Sequence, residues 1–162
     1  MLIAIGIASF KNLSGIMAVF FYSTKIFTEN GHGDIAPYLT IMVGVVNLVP
    51  TFAAIRLIQL GRRPILIIGY GLLAVLHFAV GIFAEFAVSF EAEIVLIMLW
   101  CIVYELSVGP LTWTYVSEIM SVKSMSIAMI INWLVVAMVG ATTGYIVEDL
   151  GIPKTFYIFG TF

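Results

Sequence analysis

The sequence predicts an all-α fold, a polytopic bundle of membrane-spanning helices, on three observations. Apolar residues make up 62% of the 162 and charged residues only 10%, against about 25% charged in a soluble domain. That leaves too few polar side chains to cover a globule in water, and the mean hydropathy of +1.16 agrees. The apolar residues also fall into long runs rich in Leu, Ile, Val, Phe and Met. None shows the alternation that marks the roughly ten-residue strands of a membrane β-barrel.

An apolar helix needs roughly 20 residues to cross about 30 Å of hydrocarbon. The first qualifying run, 2–27, carries Lys11 and Asn12 and closes on the connector TENGHGD. The second, 37–59, contains Asn47 and ends in QLGRRP; the third, 64–86, contains His77 and ends in EFAVSFEAE. The fourth, 93–117, holds Cys101, Glu105, Gly109, Pro110 and Trp113 before SEIMSVK. The fifth, 126–147, holds Asn132 and Trp133 and leads into EDLGIPK; a sixth begins near Thr155 and is cut short at Phe162. Five spans and the start of a sixth read as a piece of a longer protein or a truncated gene product.

Orientation follows from the basic residues, which favour cytoplasmic loops. Arg56, Arg62, Arg63 and Lys123 sit at the second and fourth connectors. The first, third and fifth hold Glu29, Asp34, Glu85, Glu91, Glu93, Glu148 and Asp149, with only Lys25 and Lys154 as basic neighbours. Connectors two and four are therefore expected in the cytoplasm, together with Met1.

Several function classes drop out. A net charge of -2 leaves no electrostatic footprint for nucleic acid. Cys101, the single cysteine, lies in an apolar run and reads as a small hydrophobe. The N-terminus has neither a basic leader nor a cleavage site followed by a polar domain, so no signal peptide is expected. No Ser/His/Asp set, metal-ligand spacing or phosphate-cradling glycine loop is present, so neither an enzyme nor a cofactor is expected.

What remains is a set of polar residues well inside apolar runs: Lys11, Asn12, Asn47, His77, Glu105, Trp113, Asn132 and Trp133. A charge at mid-bilayer costs roughly 2.5–3.5 kcal/mol on insertion scales, so such groups usually face a cavity or a partner. Each could instead be interhelical glue, an interaction worth well under about 2 kcal/mol. His77, flanked by Leu76 and Phe78, fits the packing role. The others come from different helices at similar depth, and one shared wet cavity explains them together. Gly109 and Pro110 loosen the fourth helix, which a membrane tolerates where backbone lines a cavity. Trp113, eight residues beyond Glu105, points broadly the same way, because eight residues is just over two turns. An indole face beside a carboxylate and amides suits a polyhydroxylated ligand.

LSGIMAVFFYSTKIF, VVNLV, LGRRP, GPLTWTYVSEI and MSIAMIINW occur in that order. Together they resemble the C-terminal half of sugar porters of the major facilitator superfamily, the group that holds facilitative glucose transporters and proton–sugar symporters. The resemblance covers the whole chain, as helices seven to eleven and the start of twelve. It implies half of a monosaccharide carrier in the plasma membrane, working by alternating access. Its partners would be a sugar, the bilayer and a six-helix N-terminal half, which would also hold the proton-binding Asp of symporters. The half alone should not transport.

Residue by residue, the resemblance implies substrate contacts at Asn12, Asn47, Glu105, Trp113, Asn132 and Trp133, with Lys11 at a substrate-binding position. Where the family's seventh helix reads Gln-Gln-Leu-Ser-Gly-x-Asn, this chain has Lys11, Asn12 and Met17 in place of the two Gln and the Asn. Lys11 is thus expected to snorkel toward the cytoplasmic surface or to pair with Glu105. Pro110 keeps the first proline of the Gly-Pro-x-Pro-Trp motif, and Thr112 replaces the second. Arg62, Arg63 and Glu118 match the cytoplasmic gate. Ile58 replaces its other carboxylate, and Lys123 stands where a Pro-x-Arg-x-Arg loop is missing. Two other readings stay open: a carrier for a polyol or organic ion, suggested by Lys11, and a degenerate half serving as a membrane scaffold.

Overall fold

The computed structural model describes residues 2–16, 19, 36–86 and 89–162. Among the described residues six helices follow one another: α1 (Leu2–Leu13), α2 (Ala36–Leu57), α3 (Arg62–Glu85), α4 (Phe90–Leu106), α5 (Val108–Ile119) and α6 (Val122–Gly160). A single 3-10 turn, Ile58–Leu60, ends α2. Among the described residues there is no strand, as the long apolar runs require. Among the described residues four stretches are long and apolar enough to cross a bilayer: Pro37–Leu57, Arg62–Glu85, Glu91–Ile119 and Val122–Gly160. They coincide with the second to fifth runs of the sequence. Of the first run only the shorter helix α1 and its immediate continuation are described; Met17 and the connector 28–34, with Glu29 and Asp34, lie outside the described residues, as do Met1 and Lys25.

The fourth span breaks in one place, and not at the glycine and proline the sequence singles out. Ser107 is the non-helical residue (φ -123, ψ -80), while Gly109 and Pro110 sit in the first turn of α5. The physical reason is that proline acts at a distance. Its ring clashes with the carbonyl four residues earlier and its missing N–H leaves that carbonyl free, so Pro110 unseats the chain around Leu106 and Ser107. Within the first turn of α5 the same proline costs nothing. Ser107 heals the break itself, its Oγ donating to Val103 O at 2.6 Å.

α6 corrects the other boundary. It runs on to Leu150, reverses at Gly151 (φ 82, ψ 166), and resumes with Pro153 in the next turn. The final segment therefore starts right after Gly151 rather than near Thr155. A left-handed residue followed by proline is a helix stop and a helix start in immediate succession, and it removes the loop that EDLGIPK suggested. The returning segment packs Phe159 with Val139 and Leu13.

The core lies between α3, α4 and the returning segment. Trp100 and His77, each 2% exposed, meet edge to face with ring centroids 4.9 Å apart, and Phe156 lies 6.0 Å from the histidine ring. The Trp100 Nε1 donates to His77 Nδ1 at 2.9 Å. The same nitrogen is 2.9 Å from Leu73 O, so the ring is tied to its own helix as well as to α4. His77 thus holds the packing role its apolar neighbours suggest. Small residues let the helices approach this closely, as is usual between membrane helices. A Cβ on Gly81 would fall 2.5 Å from the Tyr157 ring, and one on Gly160 3.1 Å from His77 Cβ.

The two ends of the bundle are marked by polar contacts. Arg62 Nη2 lies 2.6 Å from Glu118 Oε1, joining connectors two and four on one side. On the other, Tyr157 donates to Glu85 Oε2 at 2.7 Å.

Candidate functional site

The site grows from the end of α1. The helix stops at Leu13 because Ser14 and Gly15 leave it: Ser14 Oγ donates to Lys11 O at 2.6 Å, and Gly15 takes a left-handed φ of 83. Glycine is required there twice over, since a Cβ would also lie 2.9 Å from the Phe159 ring. Lys11 and Asn12 are thereby held in the last turn, facing α5 and α6.

Asn12, 1% exposed, reaches across to α6, where its Nδ2 donates to Asn132 Oδ1 at 2.7 Å and approaches Asn132 O at 3.3 Å. Asn132 is itself 5% exposed. Lys11 turns toward α5 instead, with its ammonium 5.2 Å from the centroid of the Trp113 ring. That is a cation–π geometry worth about 0.5–2 kcal/mol, depending on how dry the site is. No ion pair with Glu105 forms within 4.0 Å, so the direct pairing expected from sequence gives way to the indole face. Lys11 and Glu105 nevertheless sit in one another's field. Glu105 is held from α2, accepting from Thr51 Oγ1 at 3.2 Å.

Asn47 lies one turn before Thr51 and is buried, with Nδ2 spent on Val43 O at 2.7 Å. Its neighbour across the interface is Cys101. Thr51 itself escaped the sequence reading, although its i+4 relation to Asn47 puts both on one face of α2. Thr112, in place of the family's second proline, is fully buried beside the Tyr70 phenol.

Trp133 does not join this set. It is 64% exposed, because each residue step turns a helix by about 100° and Asn132 has taken the inward direction. Asn12 meets Asn132, Lys11 meets Trp113 and Glu105 meets Thr51, three contacts spanning five helices, and Asn47 takes part in none of them. At the end that carries connectors two and four the expected gate residues are likewise divided: Arg62 meets Glu118, whereas Arg63 and Lys123 are exposed and outside the pair. Among the described residues no cluster of His, Cys, Asp and Glu could hold a metal ion.

The model of the family described as "Sugar (and other) transporter" matches residues 1–162. The chain belongs to that family. A sugar-transporter chain with four apolar helices of spanning length is an integral membrane protein, and the family is one of transporters rather than enzymes. Its relatives include the "Facilitated trehalose transporter Tret1" of Apis mellifera ligustica, 31% identical over 98% of this chain and 34% of the relative. The "Arabinose-proton symporter" of Bacillus subtilis (strain 168) is 31% identical over 98% of this chain and 36% of its own length. "Solute carrier family 2, facilitated glucose transporter member 2" of Gallus gallus is 33% identical over 98% of this chain and 31% of its own. The sugar-transporter chain thus spans about a third of the length of these relatives.

Proposed function

We propose that this chain supplies the C-terminal wall of a sugar carrier, helices seven to eleven and the start of twelve. The carrier takes a monosaccharide at mid-membrane and works by alternating access, two six-helix halves rocking about the site, in the plasma membrane. The observation that carries this reading is the convergence of five helices: Asn12 on Asn132, Thr51 on Glu105, and Lys11 on Trp113 beside Glu105. The relatives support a sugar as the solute, being named for trehalose, arabinose and glucose transport.

The chemistry fits hydroxyl recognition. Asn12 Oδ1 is buried with no hydrogen-bond partner among the described residues. A buried acceptor left unmade costs about 1–3 kcal/mol, and a sugar hydroxyl is the donor that would relieve it. Glu105 offers a second acceptor, and the Trp113 face an apolar platform for ring C–H groups. The Arg62–Glu118 pair would latch the cytoplasmic end when the carrier faces outward, with Arg63 and Lys123 as further cations at that end.

Lys11 favours a second reading, in which the solute is a polyol or an organic ion. Counterflow of labelled glucose in proteoliposomes holding the natural-length protein separates the two. Competition by hexoses over sorbitol and over charged solutes supports the first reading. Competition by sorbitol or an organic ion alone supports the second, and no flux of any solute would point to a scaffold.

A further inference from the structure

Glu105 sits where the fourth span breaks. It stands in the last turn of α4, and Gly109 lies four residues on, in the first turn of α5, with the non-helical Ser107 between them. The carboxylate comes to rest against the backbone of that glycine. A Cβ added to Gly109 would lie 3.0 Å from Glu105 Oε2 and 3.3 Å from the Tyr104 ring. The ring has nowhere to go, being 3% exposed and stacked on Trp100 with centroids 5.4 Å apart. The carboxylate, at the free end of a flexible side chain, is the group that would have to move. Gly109 suggests a helix breaker in the sequence, yet it sits in regular helix, and its missing methyl is the room that Glu105 uses.

The same oxygen is held from the opposite side. Thr51 Oγ1, on α2, lies 3.2 Å from Glu105 Oε2 and 2.9 Å from Asn47 O. The contact with its own helix fixes the threonine side chain, so the hydroxyl proton stands between one carbonyl and one carboxylate oxygen. Two separate helices thus grip Oε2, α2 with a donor and α5 with a gap.

We propose, on the reading that Glu105 meets the sugar, that Thr51 and Gly109 are positioning residues for the solute. They seat Oε2 and thereby turn Oε1 to accept from one particular sugar hydroxyl. Selectivity for that hydroxyl then depends on two residues that act only through Glu105.

The test is equilibrium binding of radiolabelled glucose to the natural-length protein in proteoliposomes, in competition with deoxyglucoses that each lack one hydroxyl. For the unaltered protein, the deoxyglucose lacking the partner of Glu105 should compete about 2- to 12-fold less well than glucose, the worth of one hydrogen bond. Thr51→Val and Gly109→Ala should each weaken glucose to the level of that deoxyglucose and leave the deoxyglucose itself unchanged. Thr51→Ser, which keeps the hydroxyl, should keep the discrimination. So should Gly71→Ala, whose methyl would meet nothing within 4 Å. If Gly109→Ala does not fold, the contrast of Thr51→Val with Thr51→Ser decides. Equal losses for glucose and every deoxyglucose would show a structural role alone and overturn the proposal. Discrimination lost in Glu105→Ala but kept in Thr51→Val and Gly109→Ala would overturn the positioning while leaving Glu105 its contact with the sugar. Discrimination kept in Glu105→Ala, or no glucose binding by the unaltered protein, would remove that contact and the positioning with it.

Discussion

Asn12 Nδ2 donates to Asn132 Oδ1 at 2.7 Å, fastening the last turn of α1 to the first half of α6. Interhelical hydrogen bonds of this kind average about 0.6 kcal/mol in membranes and reach about 1.7. The buried setting and the absence, among the described residues, of a competing partner for Asn132 Oδ1 place this one toward the upper end. A double-mutant cycle with Asn12→Ala and Asn132→Ala, read by reversible unfolding in bicelles, should give a coupling of about 1–1.7 kcal/mol. Asn12→Ala should cost the more of the two single changes, because Asn132→Ala leaves Asn12 its contacts with Asn132 O and Ala8 O. Additive effects would mean that the contact contributes nothing to stability.

Glycines that look alike in sequence should separate cleanly by substitution. A Cβ on Gly81 would meet the Tyr157 ring at 2.5 Å and Pro153 O at 3.2 Å, whereas one on Gly44 or Gly71 would meet nothing within 4 Å. Gly81→Ala therefore forces the returning segment away from α3 and should destabilise by about 1–3 kcal/mol, the usual cost of overpacking. Gly44→Ala and Gly71→Ala, both in helix interiors, should be neutral or stabilise by up to about 1 kcal/mol. Thermal unfolding of the three variants decides it; equal behaviour would contradict the close approach.

The same contrast explains how much of the molecule was legible beforehand. The α-class and the second to fifth spans follow from run length alone, since hydrocarbon thickness fixes helix length whatever the packing. Ser107 was not legible as the break because proline acts on a carbonyl four residues upstream, so the signal and the distortion occupy different residues. The hairpin at Gly151 was blurred by the surrounding acidic residues, which suggested a loop where one left-handed residue suffices. Within the site, residue types were visible but partners were not. Whether Lys11 chooses Glu105 or Trp113 depends on where α5 lies relative to α1, and nothing local to either helix encodes that. Trp133 shows the limit most plainly, for adjacency to Asn132 in sequence means divergence on a helix.

The Arg62–Glu118 contact should act through orientation rather than strength. Its side chains are 36% and 43% exposed, and exposed pairs contribute about 0.2–1 kcal/mol. Arg62→Glu alone sets two carboxylates against each other and should lower unfolding stability by about that amount. The swap Arg62→Glu with Glu118→Arg should restore it. Arg63→Glu with the same Glu118→Arg should not, because Arg63 lies outside the pair. Rescue by both swaps would show that net charge at this end matters and the pairing does not.

Lys11 offers the sharpest link from structure to transport. Its ammonium rests on Trp113 at 5.2 Å, in the place where the family carries a glutamine. A glutamine there could donate and accept toward a hydroxylated solute, and it would no longer occupy the indole face. Lys11→Gln should therefore tighten hexose binding by the worth of about one hydrogen bond, 0.5–1.5 kcal/mol or roughly 2- to 12-fold. Lys11→Met removes the charge without adding an amide, so it should leave binding weaker than Lys11→Gln. Trp113→Leu should weaken hexose binding in either background, since it removes the platform itself. Equilibrium binding of radiolabelled hexose, with each variant in proteoliposomes, measures all three. If Lys11→Gln and Lys11→Met bind hexose alike, the side chain at this position does not touch the solute. Its place over Trp113 would then be a packing contact only.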